Sequence, residues 1–311
     1  MDTSSNAFSL DVRRFRVLSV LKKCGTINAT ASALNLTPSA ISQQITSLSK
    51  EIGAPLLVPN GRGVRLTPQA EIILGHAQAI DRHIELTRSD LAAFEGGEIG
   101  QVVISAFQSS IPVLVAPSVS RLQIDHPRFR ISVQESSSAN GFIHLDACDV
   151  DLVIAVDSSY NPLGSNTSYC RYELLEDPFL IAVPRDSPMA SKEIVSIKDL
   201  SDQAWIMAPA IAPCRELTLA ACVSAGFNPD IRHNVDNWNS VLSLVSYGLG
   251  IAFVPRSVVA SGVSPGVALI KSIEGYCPSR HWFAVTRSGS ENNVGLKQIV
   301  TTLQDTAKHL A

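Results

Sequence analysis

The stretch Thr26–Arg65, TINATASALNLTPSAISQQITSLSKEIGAPLLVPNGRGVR, decides how the chain is read. Two short helical patterns meet at a tight turn, and a Gly-rich basic hairpin follows. Thr37 suits an N-cap and Pro38 the first helical position, where a missing N–H costs nothing. Ile41, Ile45, Leu48 and Ile52 then recur at helical spacing and form one apolar stripe. The opposite face carries Ser39, Ser42, Gln43, Thr46, Ser47 and Lys50. These side chains are short, polar and almost uncharged, as a helix lying in a DNA major groove requires, because Ser and Gln pair with base edges.

Outward from this stretch, residues 10–23 place Val12, Phe15, Leu18 and Leu21 at helical spacing, and Gly25 ends the run. Thr26 caps a short helix of small residues that permits close packing. After the third helix, Leu56–Val58 and Val64–Leu66 read as strands around Asn60-Gly61, a strong hairpin signal. Three helices and a hairpin make a winged helix-turn-helix, with Arg62 and Arg65 on the wing.

Charge supports this division. Between residues 10 and 66 there are eight basic residues against two acidic ones, a net of +6. From Thr67 onward the balance is −8, within a whole-chain charge of −3. A basic head on an acidic body means that only the head is built to meet a polyanion.

Thr26–Leu66 resembles the DNA-binding domain of LysR-type transcriptional regulators. The small-residue second helix, SAISQQI at 39–45, EIGAPLL at 51–57 and GRGVRLTP at 61–68 carry the resemblance. Pro38-Ser39 stands where many members have Gln-Pro. The resemblance implies base contacts from Ser42 and Gln43. It joins residue-level expectations of a DNA face made of Thr37, Ser39, Ala40, Ser42, Gln43, Thr46, Lys50, Arg62 and Arg65. Lys50, Arg62 and Arg65 would neutralise phosphates, unless the wing arginines are only solvated charges. Ala40 either touches a thymine methyl or lets the helix approach closely.

From Thr67-Pro68 to about Glu95 a further capped helix carries Ile73, Ala77, Ile80, Ile84, Thr87, Leu91 and Phe94 at alternating spacings of four and three, a heptad seam. A lone amphipathic surface helix is one reading. The preferred reading is pairing with a second copy, with Ile73, Ala77, Ile80, Ile84 and Leu91 as the dimerisation residues. Glu95–Gly100 is the expected hinge.

Beyond Gln101, strands alternate with helices, which implies a largely parallel α/β arrangement. PFLIAVP at 178–184, AGF at 225–227 and VSYGLGIAFVP at 245–255 are similar to the effector-binding domain of the same family, which resembles periplasmic binding proteins. Ala147-Cys148 replaces the family's usual glycine there. The implied plan is a head at 1–67, a linker helix and hinge at 68–97 and a bilobed effector domain at 98–311. One lobe is expected at 101–169 plus 280–311 and the other at 171–275, with crossings near Ser168–Arg171 and Gly275–Ser279.

Lobed α/β domains bind small molecules in the crevice beyond strand ends. Gln108, Ser109 and Ser110, Ser136 and Ser137, Ala210 and Ile211, and Asp236, Asn237 and Trp238 are the candidate effector residues, with plain helix capping as the alternative for each Ser or Asn. The family match points to a small carboxylate-bearing metabolite. Peroxide-sensing relatives carry two cysteines near Cys214 and Cys222, which leaves a thiol-based redox reading as the alternative. Eight residues apart, the two would lie about two turns apart on one helix.

Serine-hydrolase, zinc-protease, Walker and dinucleotide-binding motifs do not occur, so neither an enzyme nor a cofactor is indicated. No C-x-x-C marks a metal site. No apolar run approaches a membrane span, and the first residues lack a signal-peptide pattern, so a cytoplasmic location is expected. The expected partners are double-stranded DNA at an inverted-repeat operator, a small-molecule effector and further copies of the chain, as a homodimer and homotetramer.

Overall fold

The computed structural model describes residues 11–61, 63–94, 101–158, 168–192, 194–210, 212–260, 262–274 and 277–310. The head opens with α1 (Val12–Cys24), capped by the Asp11 carboxylate on Arg13 N and ended by Gly25 at φ 70°. Thr26 caps α2 (Ile27–Ala33), and Thr37 caps α3 (Pro38–Ile52), accepting from Ala40 N at 3.2 Å. Phe15, Leu18, Leu21, Ala31, Ile41, Ile45, Leu48 and Leu56 fill the head's core. Strands β1 (Leu57–Asn60) and β2 (Gly63–Leu66) form the antiparallel hairpin. Its base is pressed against the α1–α2 turn: Val64 N donates to Gly25 O at 3.1 Å, and a Cβ on Gly63 would lie 2.7 Å from that same oxygen. Only glycine fits there, so the wing is fixed to the helices it flanks.

Helix α4 (Pro68–Phe94) starts at Thr67, whose hydroxyl accepts from Ala70 N and donates to Pro55 O. The seam expected along it splits in two. Ala77 is buried with Ala70 and Leu74 in the head's own core, and Ile73 and Ile80 pack against it. The first three turns of α4 lie on α1, so Ile73, Ala77 and Ile80 are largely consumed within the chain. Ile84 is half-buried and Leu91 is 58% exposed, so apolar surface left over lies in the later turns. The Phe94 side chain and the hinge at 95–100 lie outside the described residues.

The C-terminal body begins with β3 (Gln101–Ala106), then a π-helical turn over Ile111–Val115 that runs into α5 (Ala116–Asp125). Next come β4 (Arg130–Glu135), α6 (Ser138–Ala147) and β5 (Leu152–Val156). Strand β6 (Tyr169–Pro184) is followed by β7 (Ile194–Ser196), β8 (Ala204–Met207), α7 (Pro213–Ser224), β9 (Asp230–Asn234) and α8 (Trp238–Ser246). The chain then forms β10 (Ala252–Pro255), the short α9 (Arg256–Val259), β11 (Val267–Ile270), β12 (Ser272–Glu274), β13 (Ser279–Arg287) and α10 (Val294–Lys308).

Seven strands share one sheet in the order β10-β6-β13-β5-β3-β4, with β11 also on β6. In β5 every residue is buried, and alternation divides its neighbours. Leu152, Ile154 and Val156 face the α5 and α10 side, while Val153 and Ala155 face Phe142 and Leu145 of α6. The second lobe repeats the scheme around the later half of β6. Phe179, Ile181 and Val183 pack with Trp205 and Phe253, and Leu180 and Ala182 with Val241, Leu242 and Val245 of α8.

The crossing between lobes differs from the expected place at 168–171. Residues 169–178 of β6 still pair with β13 in the first lobe, and 179–184 pair with β10 and β11 in the second. The handover is at Pro178–Phe179, within a continuous strand, where proline has no N–H to continue the ladder. Cys148 ends α6 at φ 61°, so the left-handed turn is kept although glycine is replaced.

Candidate functional site

Two sites lie at opposite ends of the chain. On α3, capping by Thr37 and the buried Ile41, Ile45 and Leu48 leave Ser39, Ser42, Gln43, Thr46 and Lys50 exposed on one side. Thr37 Oγ1 is 2.9 Å from Ser39 Oγ, so Thr37 serves the helix start and its neighbour at once. Ala40 is half-buried. Arg65 is exposed on β2, and Arg62 lies outside the described residues. Arg14 of α1 bridges to Glu51 of α3, which leaves Lys50 as the helix's outward cation.

The second site sits where the lobes meet, and its centre is a residue not singled out from the sequence. Arg280, 4% exposed, pairs across β13 and β6 with Asp177, 2% exposed. Arg280 Nε donates to Asp177 Oδ2 at 2.9 Å, and Nη2 lies 2.8 Å from the same oxygen. Nη2 also donates to Ser109 Oγ at 2.9 Å and Ser257 Oγ at 3.0 Å. Asp177 further accepts from Ser257 N at 3.0 Å and Ser257 Oγ at 2.7 Å. The guanidinium lies 5.2 Å from the Phe107 ring and 5.1 Å from that of Trp282, two rings in edge-to-face contact. Among the described residues its Nη1 reaches only Cys214 Sγ, at 3.8 Å, a weak acceptor for a buried charged donor. Arg280 therefore gathers Ser109 from the first lobe, Cys214 from the second and Asp177 from the strand joining them.

The expected effector residues fall into three groups. Ser109 belongs to the Arg280 cluster, and Gln108 flanks it, half-buried. Ser110 is buried and donates to Phe107 O at 2.7 Å, closing the same loop. Ser137 and Asn237 cap α6 and α8, accepting from Asn140 N and Ser240 N. Ser136 donates to Ser137 O, Trp238 packs on the second lobe's core, and Ala210 and Asp236 are exposed. Asp236 is near enough to Cys214 to act on its thiol. Ile211 lies outside the described residues.

Burial pushes the Cys214 thiol up, and the Arg280 guanidinium pulls the other way without overcoming it. Cys222, buried at the far end of the same helix, is pushed up to about 11 by burial. Both cysteines lie on α7, separated by about 12 Å of helix rise. Among the described residues, no group of His, Cys, Asp and Glu could hold a metal ion. No helix among them is long and apolar enough to cross a membrane.

Residues 12–71 match the family model described as bacterial regulatory helix-turn-helix protein, lysR family, and residues 95–308 match that of the LysR substrate binding domain. The transcriptional regulator AlsR of Bacillus subtilis is 31% identical over 238 residues, covering 73% of this chain and 74% of its own. A full-length OxyR from Pseudomonas aeruginosa superposes with a TM-score of 0.65 at 18% identity, covering 95% of each chain. CbnR in complex with its target DNA superposes at 0.56 and 18% identity, over 96% of this chain and all of that one.

Proposed function

Because this chain belongs to the LysR family of bacterial transcriptional regulators, we propose that α3 reads base edges in an inverted-repeat operator while a small carboxylate-bearing effector acts at the crevice around Arg280. The observation that carries the DNA reading is the exposed face of α3. Ser39, Ser42, Gln43, Thr46 and Lys50 take no part in the head's core, yet stand exposed together on one side of α3. The domain plan that fits is a head at 1–67, a linker at 68–97 and an effector domain at 98–311, in a cytoplasmic homotetramer paired through the later turns of α4. A gel shift on the DNA upstream of the gene tests the reading: failure of the purified protein to retard it more than random DNA overturns it.

The effector reading rests on the buried Arg280 guanidinium, whose Nη1 has only a thiol for a partner among the described residues. A carboxylate is the acceptor best matched to such a donor. Thermal-shift comparison of small carboxylates with their amides tests it, and equal shifts from both classes count against it.

One observation favours a second reading, the contact between Arg280 and Cys214. In that reading peroxide oxidises the Cys214 thiol to a sulfenic acid with release of water. The raised thiol argues against it, since the thiolate is the nucleophile. Peroxide that alters DNA binding equally in the wild type and in Cys214→Ser excludes it.

A further inference from the structure

Lys23 is the penultimate residue of α1, in the DNA-binding head, yet its ammonium belongs to the effector domain. Nζ lies 2.7 Å from Asp146 Oδ2, near the end of α6, and 2.8 Å from the Tyr169 hydroxyl at the start of β6. Tyr169 donates to the other Asp146 oxygen, and Ser19, one turn back on α1, donates to Oδ2 at 3.3 Å. The ammonium also lies 5.4 Å from the Tyr169 ring centre and 5.9 Å from that of Phe142. Burial and the neighbouring carboxylate push the Tyr169 phenol upward, which keeps it a proton donor to Asp146.

We propose that Lys23, Asp146 and Tyr169 form a releasable clasp that holds the DNA-binding head against the first lobe. Beyond the packing of α1 on α6 around the clasp, the described contacts between head and lobe are short approaches of α2 to α6 and of α4 to α10. Beside the clasp a cleft of about 460 Å³ lies between α2 and α6, lined by Ser32 and Asn35 on one side and Asn140, Ile143 and His144 on the other. A joint centred on one polar cluster is weak enough to open.

The lobe side of the clasp is rigid. A Cβ on Gly141 would lie 2.7 Å from Val153 Cγ1 and 3.0 Å from Ser105 Oγ, so α6 sits directly on the sheet. Ser138 at its N-terminus accepts from Val156 N at 3.3 Å. That end adjoins the Ser136–Ser137 loop, and the clasp lies one helix length away, about 15 Å. The loop and Asp146 are therefore the two ends of one helix held on the sheet.

The test uses the full-length chain and needs neither operator nor effector. Amide hydrogen exchange is compared across Ser19–Cys24 and Ile143–Ala147 in wild type, Lys23→Asp, Asp146→Lys and the double reversal, with α8 in the second lobe as the folding control. Each single reversal is expected to speed exchange in both segments about fivefold, and the double reversal to recover most of it. Tyr169→Phe, which keeps the ring, provides a milder variant and is expected to give a smaller change in the same segments. Unchanged exchange in Asp146→Lys and Tyr169→Phe overturns the proposal, as does a double reversal no closer to wild type than the singles.

Discussion

Replacing Asp177 by Ala strips the buried Arg280 guanidinium of its counter-ion. The carboxylate accepts three hydrogen bonds, one from Arg280 Nε and two from Ser257, with Nη2 in ion-pair contact, and both charged groups are under 5% exposed. Loss of one partner from such a pair costs about 3–5 kcal/mol, because the remaining charge has no water to turn to. Ser109, Ser257 and Cys214 are neutral and offset only part of this. Unfolding in urea, followed by tryptophan fluorescence, reports on the right body: Trp282 lies beside the guanidinium and Trp205 is fully buried in the second lobe. With a slope of about 3 kcal/mol per molar, the midpoint should fall by roughly 1–1.7 M. Asp177→Asn keeps an acceptor and should lose less, about 1.5–3 kcal/mol. The double change Asp177→Leu with Arg280→Met should cost far less than the two single changes together, since no bare charge remains. A midpoint within about 0.3 M of wild type for Asp177→Ala refutes the reasoning.

Gln43→Ala should weaken binding to a specific site by about 1–3 kcal/mol while leaving random DNA nearly unaffected; competition gel shifts read the difference, and equal losses remove Gln43 from base reading. Arg65→Ala should lower affinity for all sequences and reduce the salt slope of binding by about one. The Cys170 thiol is pushed up to about 12, first by burial and then by its hydrogen bond to Glu291. At pH 8 its thiolate is then about one in ten thousand, so iodoacetamide should label it slowly, and faster in Glu291→Gln, as peptide mass spectrometry would show. Cys148→Gly should raise the stability of the effector domain by about 1 kcal/mol, because φ 61° is strained for any residue with a Cβ; a lower unfolding midpoint contradicts this.

The head is legible from sequence because its signals are local. Thr37, Pro38 and Gly53 punctuate α3 within a span of seventeen residues, and the apolar stripe needs no distant partner to be recognised. The linker shows where that method stops. A heptad pattern states that Ala77 is buried, but not whether the burying surface is a second copy or the chain's own α1. Helix α6 is invisible for a different reason: SANGFIHLDA mixes Gly and Asn into a short run, and packing on the sheet overrides that weak propensity. The first half of β6, YCRYELLED, is equally hidden, since half-exposed residues form a strand there only because β13 lies alongside. Arg280 and Asp177 are 103 residues apart and meet only through that register. A charged residue shortly before the apolar run Trp282–Val285 is the one signal that could have marked Arg280.

That β6 runs unbroken from one lobe into the other limits what a bound molecule can do. Two bodies joined by loose linkers can swing shut like jaws, but a shared ribbon resists bending and yields instead by a slight change of torsion along its length. Nine residues of β6 remain laced to β13 in the first lobe while six grip the second, so a turn of one sheet is imposed on the other with little slack. Chemical recognition in this chain is therefore expected to be converted into a small, stiff rotation rather than a large closure. On the proposed reading, whatever enlarges that rotation into a change in gene expression lies outside the crevice, in lever arms formed by the linker helices and in the assembly of copies they would join.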